Sequence, residues 1–249
     1  MRELVVDSER AAKENAIRLG FWSALLTSVI AAVFMVVGIA TPPRSGPFCG
    51  SDCVAYPYTD VAAFIPQDYI WLYPGFLLAA VFVVLMACIH SYAANGKKVF
   101  SRIGLSFALL YAGVILVDYF IQLAVIVPSL QSGETSGLSP FTQYNPHGIF
   151  ITFEALGYLL MSVAFLFAAP VFAGGRAERT IRWLFVASFV LAIVAFIVLP
   201  LAGYDIVAFE VTVLTINWVV LIVSGALLTL IFRRAGHGGV ARPAEESTL

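Results

Sequence analysis

The chain has 249 residues, of which 61% are hydrophobic and 12% charged, with a formal net charge of −1 and a mean hydropathy of +0.93. A soluble domain is about 45–50% apolar and about 25% charged, so this chain lacks the polar residues to cover an aqueous surface. That excludes a soluble enzyme and a disordered chain, and the absence of a basic excess excludes nucleic acid as a partner.

Residues 1–19 are a polar cytoplasmic segment. Glu9 with Lys13 and Glu14 with Arg18 are four apart, which predicts a short helix running into the membrane. A hydrocarbon core about 30 Å thick takes roughly 20 apolar residues, and six such runs follow, over 20–40, 71–92, 103–128, 149–172, 183–202 and 208–232. Runs of that length, apolar without alternation, are helices rather than barrel strands. The predicted fold is an all-α polytopic membrane bundle of six helices forming one domain over 20–232, with 233–249 an aperiodic, disordered cytoplasmic tail.

Basic residues set the orientation. Arg2, Arg10, Lys13 and Arg18 precede the first span, and Lys97, Lys98 and Arg102 separate the second from the third. Arg176, Arg179 and Arg182 separate the fourth from the fifth, and Arg233, Arg234 and Arg242 follow the sixth. Thirteen of the fourteen Lys and Arg thus share one side, with Arg44 alone opposite, which predicts a cell-membrane protein with both termini cytoplasmic.

The first span carries small residues every fourth position, Gly20, Ala24, Ser28 and Ala32, a face suited to close helix packing. Two outer loops, 41–70 and 129–148, are long for a compact bundle. The first ends in Tyr56, Tyr58, Phe64, Tyr69, Trp71 and Tyr73, consistent with an interfacial aromatic belt. It also holds Cys49 and Cys53, four positions apart on the oxidising side, where a disulfide is favoured over a redox or zinc role. His90, His147 and His237 lie at different depths and offer no haem pair. No catalytic, metal or cofactor motif is present, and the expectation is of none.

The informative residues are acids within the spans. Asp118 lies about midway along the third, roughly 15 Å from its outer end, and Glu154 about 10 Å into the fourth from the same side. An intramembrane Asp costs about 2.5–3.5 kcal/mol and is tolerated where it faces the bundle interior or water. Tyr111, Asp118, Gln122 and Ser129 share one helical face, as do Glu154, Tyr158 and Ser162, and then Glu210, Asn217 and Ser224. The expectation is a polar core between spans three, four and six that opens outward, with Asn217 at the level of Asp118 and Gln122 at that of Glu154. The fifth span has little polarity beyond Ser188. No Lys or Arg matches either acid in depth, so each must be protonated, hold a cation or meet water.

These features predict a proton- or cation-coupled transporter or pore for a small solute, with the bilayer as its other partner. A non-transporting accessory, sensor or assembly protein is the second reading. A membrane enzyme acting on lipid through Glu154, His147 and Tyr158 is the third. Over Gln143-Tyr-Asn-Pro-His-Gly148 and Glu154-Ala-Leu-Gly-Tyr158-Leu-Leu-Met-Ser162, the chain resembles a group of prokaryotic multi-pass membrane proteins. The resemblance runs from the third span to the sixth, and implies the helical membrane fold and no particular activity. By its residues alone, Asn145-Pro146 is a turn and helix-entry signal.

Overall fold

The computed structural model describes residues 2–238, with side chains from 14 to 236. Six helices are long and apolar enough to cross a membrane. They are α1 (Arg2–Ala40), α2 (Leu72–Tyr92), α3 (Lys98–Ile121) with its continuation, α5 (Ile149–Ala168), α6 (Arg176–Leu201) and α7 (Ile206–Gly238). The continuation of α3 is a π-helical turn, Gln122–Ile126, followed by α4 (Val127–Gln131). Pro128 lacks an amide hydrogen and crowds the carbonyl four residues back, and the wider turn falls over that stretch.

Sequence neighbours pack against one another, and α7 closes on α1. The result is a ring of α1, α2, α3, α5 and α7, with α6 outside in the groove between α5 and α7. Only 17% of the most apolar stretch of α6 is buried, against 33–56% in the other five spans, so its near-complete lack of polar atoms reflects lipid contact rather than a core position.

The small-residue face of α1 meets α7. A Cβ at Gly225 would stand 2.9 Å from the Ala24 carbonyl oxygen and from Ser28 Cβ, and one at Gly20 would touch the Phe232 ring. The close approach lets Ser28 donate to the Ile222 carbonyl at 2.8 Å. At the other end of the pair, Gly38 makes room for Trp218.

Local signals start the two helices that matter most. Asp205 caps α7, its Oδ1 accepting from the amides of Val207 and Ala208 at 3.1 and 3.3 Å. Before α5, Asn145 Oδ1 accepts from the His147 amide at 3.0 Å, and the Gly148 amide donates to the Asn145 carbonyl, so the Asn-Pro-His-Gly string is a turn. Gly203, at φ +83, ends α6 in the left-handed conformation that favours glycine.

Some boundaries differ from the expectation. Helix α1 is continuous from Arg2, so leader and first span are one element. Helix α7 continues to Gly238, past the expected end at 232: Gly236 is tolerated within the helix, and the sequence from 233 to 238 is not a disordered tail. Residues 239–249, including Arg242, lie outside the described residues, and the side chains of Glu9, Lys13 and His237 outside the described side chains.

The long connections gather at one end of the bundle, the loop end. Cys49 and Cys53 are paired there, Cα atoms 5.9 Å apart. Of the aromatics expected in a belt, Tyr56 and Tyr73 are exposed, but Tyr69 is buried and Trp71 turns inward onto Phe34 and Tyr119.

Candidate functional site

A cavity of about 430 Å³ opens at the loop end between the last turn of α1 and the first turns of α5 and α7. Its walls are largely apolar, with Trp71, Phe150, Ile151, Leu214 and Trp218, and it reaches Glu154 and Glu210. These acids are 2% and 5% exposed. They sit near the starts of α5 and α7, two helices that both begin at the loop end, and their carboxyl groups lie close enough to interact. No Lys, Arg or His is among the described residues that line the cavity.

Tyr119 of α3 completes the pair. Its phenol donates to Glu154 Oε1 in a short hydrogen bond and lies 3.4 Å from the Tyr158 hydroxyl. Tyr119 reaches this position because α2 has glycine opposite: a Cβ at Gly75 would stand 2.5 Å from the tyrosine ring. Phe34, Trp71 and Phe150 pack around the same ring.

The expected members of the polar core separate into distinct places. Asp118 is 2% exposed but does not line the cavity. Its Oδ2 has no hydrogen-bond partner among the described residues, and neither Asn217 nor Tyr158 bonds to it. Tyr111 is buried on the same helix, its ring 5.6 Å from that of Tyr158, and its hydroxyl falls short of hydrogen-bond geometry. Gln122 fastens a loop instead: Nε2 donates to the Phe141 carbonyl at 2.5 Å, and Oε1 accepts from the Gln143 amide at 3.2 Å.

Asn217 belongs to a clamp. Its Nδ2 lies 2.8–3.1 Å from the Val213 and Tyr158 carbonyls and Ser162 Oγ. Its Oδ1 accepts from Ser162 or Ser188 at 3.3 Å. These contacts join α5, α6 and α7, and account for the single polar residue in the core-facing side of α6. Asn217 is therefore an interhelical fastener and does not contribute to the cavity wall.

Sequence reasoning passed over the mouth. Asp68 is buried, accepts from Arg44 Nε at 3.2 Å and from the Tyr144 phenol at 3.1 Å, and holds Gln143 through its carbonyl at 2.9 Å. Arg44 also bonds Asp52 at 3.4 Å and lies 4.0 Å over the Phe64 ring. Burial pushes the Tyr144 phenol well above its ordinary range, and Tyr69 and Asp68 add to this, so it remains a donor to Asp68. The available signal was Arg44, the one basic residue between the first and second spans, in a loop that also carries Asp52, Asp60 and Asp68.

His90 bonds Ser101 through Nδ1 at 2.8 Å, in a packing role. His147 lines a separate groove among the loops with Tyr56 and Asn145, away from Glu154, so the three residues of the lipid-enzyme reading do not converge. Among the described residues no group of three or more His, Cys, Asp or Glu is arranged to hold a metal ion. No family model, curated protein or solved structure matches the chain.

Proposed function

We propose that the chain is a cell-membrane transporter coupled to a proton or cation, with both termini cytoplasmic, in which Glu154 and Glu210 form the coupling site reached from outside. The observation that carries this reading is two neighbouring buried carboxyl groups, Glu154 and Glu210, lining an open cavity with no basic residue in its wall. Such a pair can release or take up a proton, or exchange it for a cation, without a fixed counter-charge holding it in one state. Passage to the far side requires the seam between α5, α6 and α7 to part, and Asn217 is where that seam is fastened.

The same clamp favours a second reading, a membrane sensor or accessory protein that binds its solute without passing it. Flux in proteoliposomes under an imposed pH or cation gradient separates the two. Protein-dependent flux that needs Glu154 and Glu210 supports transport, and solute binding without flux supports the sensor.

The orientation rests on the positive-inside rule. A thiol introduced at Ser247 is expected to react with a membrane-impermeant reagent only after permeabilisation. Reaction in intact cells would reverse the topology and put the cavity on the cytoplasmic side.

A further inference from the structure

We propose that the cavity binds a lipophilic organic cation, an ammonium group carried on an apolar or aromatic body. This rests on the reading of Glu154 and Glu210 as the coupling site, and names the chemical class that site takes.

The charge comes first. The lining side chains include Asp68, Glu154 and Glu210 and no basic group. The nearest cation to the mouth, Arg44, is committed to Asp68 and Asp52. Asp68 is thereby balanced, whereas no fixed cation stands in the wall to offset Glu154 and Glu210. An anion has no partner here, and a monocation does.

The walls then select among cations. A hard metal ion takes six or more oxygen donors, whereas Glu154 and Glu210 stand among aromatic and aliphatic side chains, and Asp68, Gln143 and Tyr144 at the mouth are bonded to one another and to Arg44. Trp71 and Trp218 both pack against Phe34, with ring centroids 5.8 and 4.9 Å away, and are held in place by it. Both indoles line the cavity together with the two carboxyl groups, and aromatic rings beside acids suit an alkylated ammonium, which is weakly hydrated and attracted to a ring quadrupole. The volume of about 430 Å³ lies within the usual range of small-molecule sites, about 300–1,000 Å³.

The rim explains why the body should be apolar. It includes Ile39 and Val211, 73% and 40% exposed residues of the first and sixth spans, beside the loop residues Pro42 and Phe48. An amphiphile that partitions into the bilayer reaches the cavity along these residues, as well as from the aqueous loop end.

The test is equilibrium binding of radiolabelled benzyltrimethylammonium to the full chain in lipid nanodiscs, with benzenesulfonate as an anionic competitor. Saturable binding that benzenesulfonate does not displace is expected. Glu210→Gln should weaken it by about tenfold or more through loss of the charge. Val211→Trp, which fills the rim from a 40% exposed position and leaves both carboxyl groups in the chain, should weaken it by a similar factor. Absence of saturable binding, displacement by the sulfonate, or unchanged affinity in both variants overturns the proposal. Binding without flux under either a pH or a cation gradient would defeat the transport reading and leave this one standing. Glutamate-dependent flux without cation binding would do the reverse.

Discussion

Glu154→Gln and Glu210→Gln, each reconstituted beside wild type, are expected to lower gradient-driven flux by about tenfold to a hundredfold while leaving the yield of folded protein unchanged. Glutamine keeps the size and hydrogen-bonding capacity of the acid but cannot titrate. Hydrogen bonds to a charged group contribute about 1.5–3 kcal/mol, which sets the expected range. Fold should survive Glu154→Gln because the side-chain amide oxygen still accepts from the Tyr119 phenol that bonds the carboxyl oxygen now. Asp118→Asn is the internal comparison. Asp118 is equally buried but lies off the cavity, so its variant should stay within about twofold of wild type, a change below ~0.5 kcal/mol. Loss of flux in Asp118→Asn with normal flux in both glutamate variants would move the coupling site to the third span.

Gly225→Leu is expected to have the largest effect on stability. The Cβ alone would press to 2.9 Å on the Ala24 carbonyl oxygen, a backbone atom that cannot rotate away, so α1 must move. Overpacking costs about 1–3 kcal/mol, and the displaced Ser28 hydrogen bond to Ile222 adds about 0.6 kcal/mol on membrane-protein averages. The sum corresponds to a fall of roughly 3–14 °C in thermal unfolding for a chain of this size. Because α1 also frames the cavity through Gly38 and Ile39, solute affinity should fall with it. Gly113→Leu is the control, since no atom lies within 4 Å of a Cβ there. Equal unfolding temperatures for the two variants would show that the α1–α7 contact is looser than described.

The spans were legible because the signal is local: an uninterrupted apolar run about as long as the bilayer is thick has few other solutions. The glycine, alanine and serine stripe of α1 was likewise visible, and it is the face that meets α7. What the sequence did not disclose is which polar face meets which. Heptad spacing groups Asp118 with Tyr111 and Gln122, but the residue that reaches Glu154 is Tyr119, one position on and about 100° around the helix. The glycine that admits it, Gly75, is on another span and leaves no mark in the periodicity of α3. Glu210 was legible as a buried acid, yet its pairing with Glu154 depends on how α5 and α7 pack. Depth along an ideal helix suggested Asn217 beside Asp118. Ser188 on the peripheral α6 supplies the partner instead, and sequence alone does not place α6 outside the ring.

The most direct test of the central claim is reaction of the full chain with a hydrophobic carbodiimide, which attacks protonated carboxyl groups accessible from the membrane or from a cavity, followed by peptide mass analysis. The account predicts an adduct on Glu154 or Glu210, suppressed when benzyltrimethylammonium is present, and none on Asp118. Preferential modification of Asp118, with both glutamates unreacted, would contradict it.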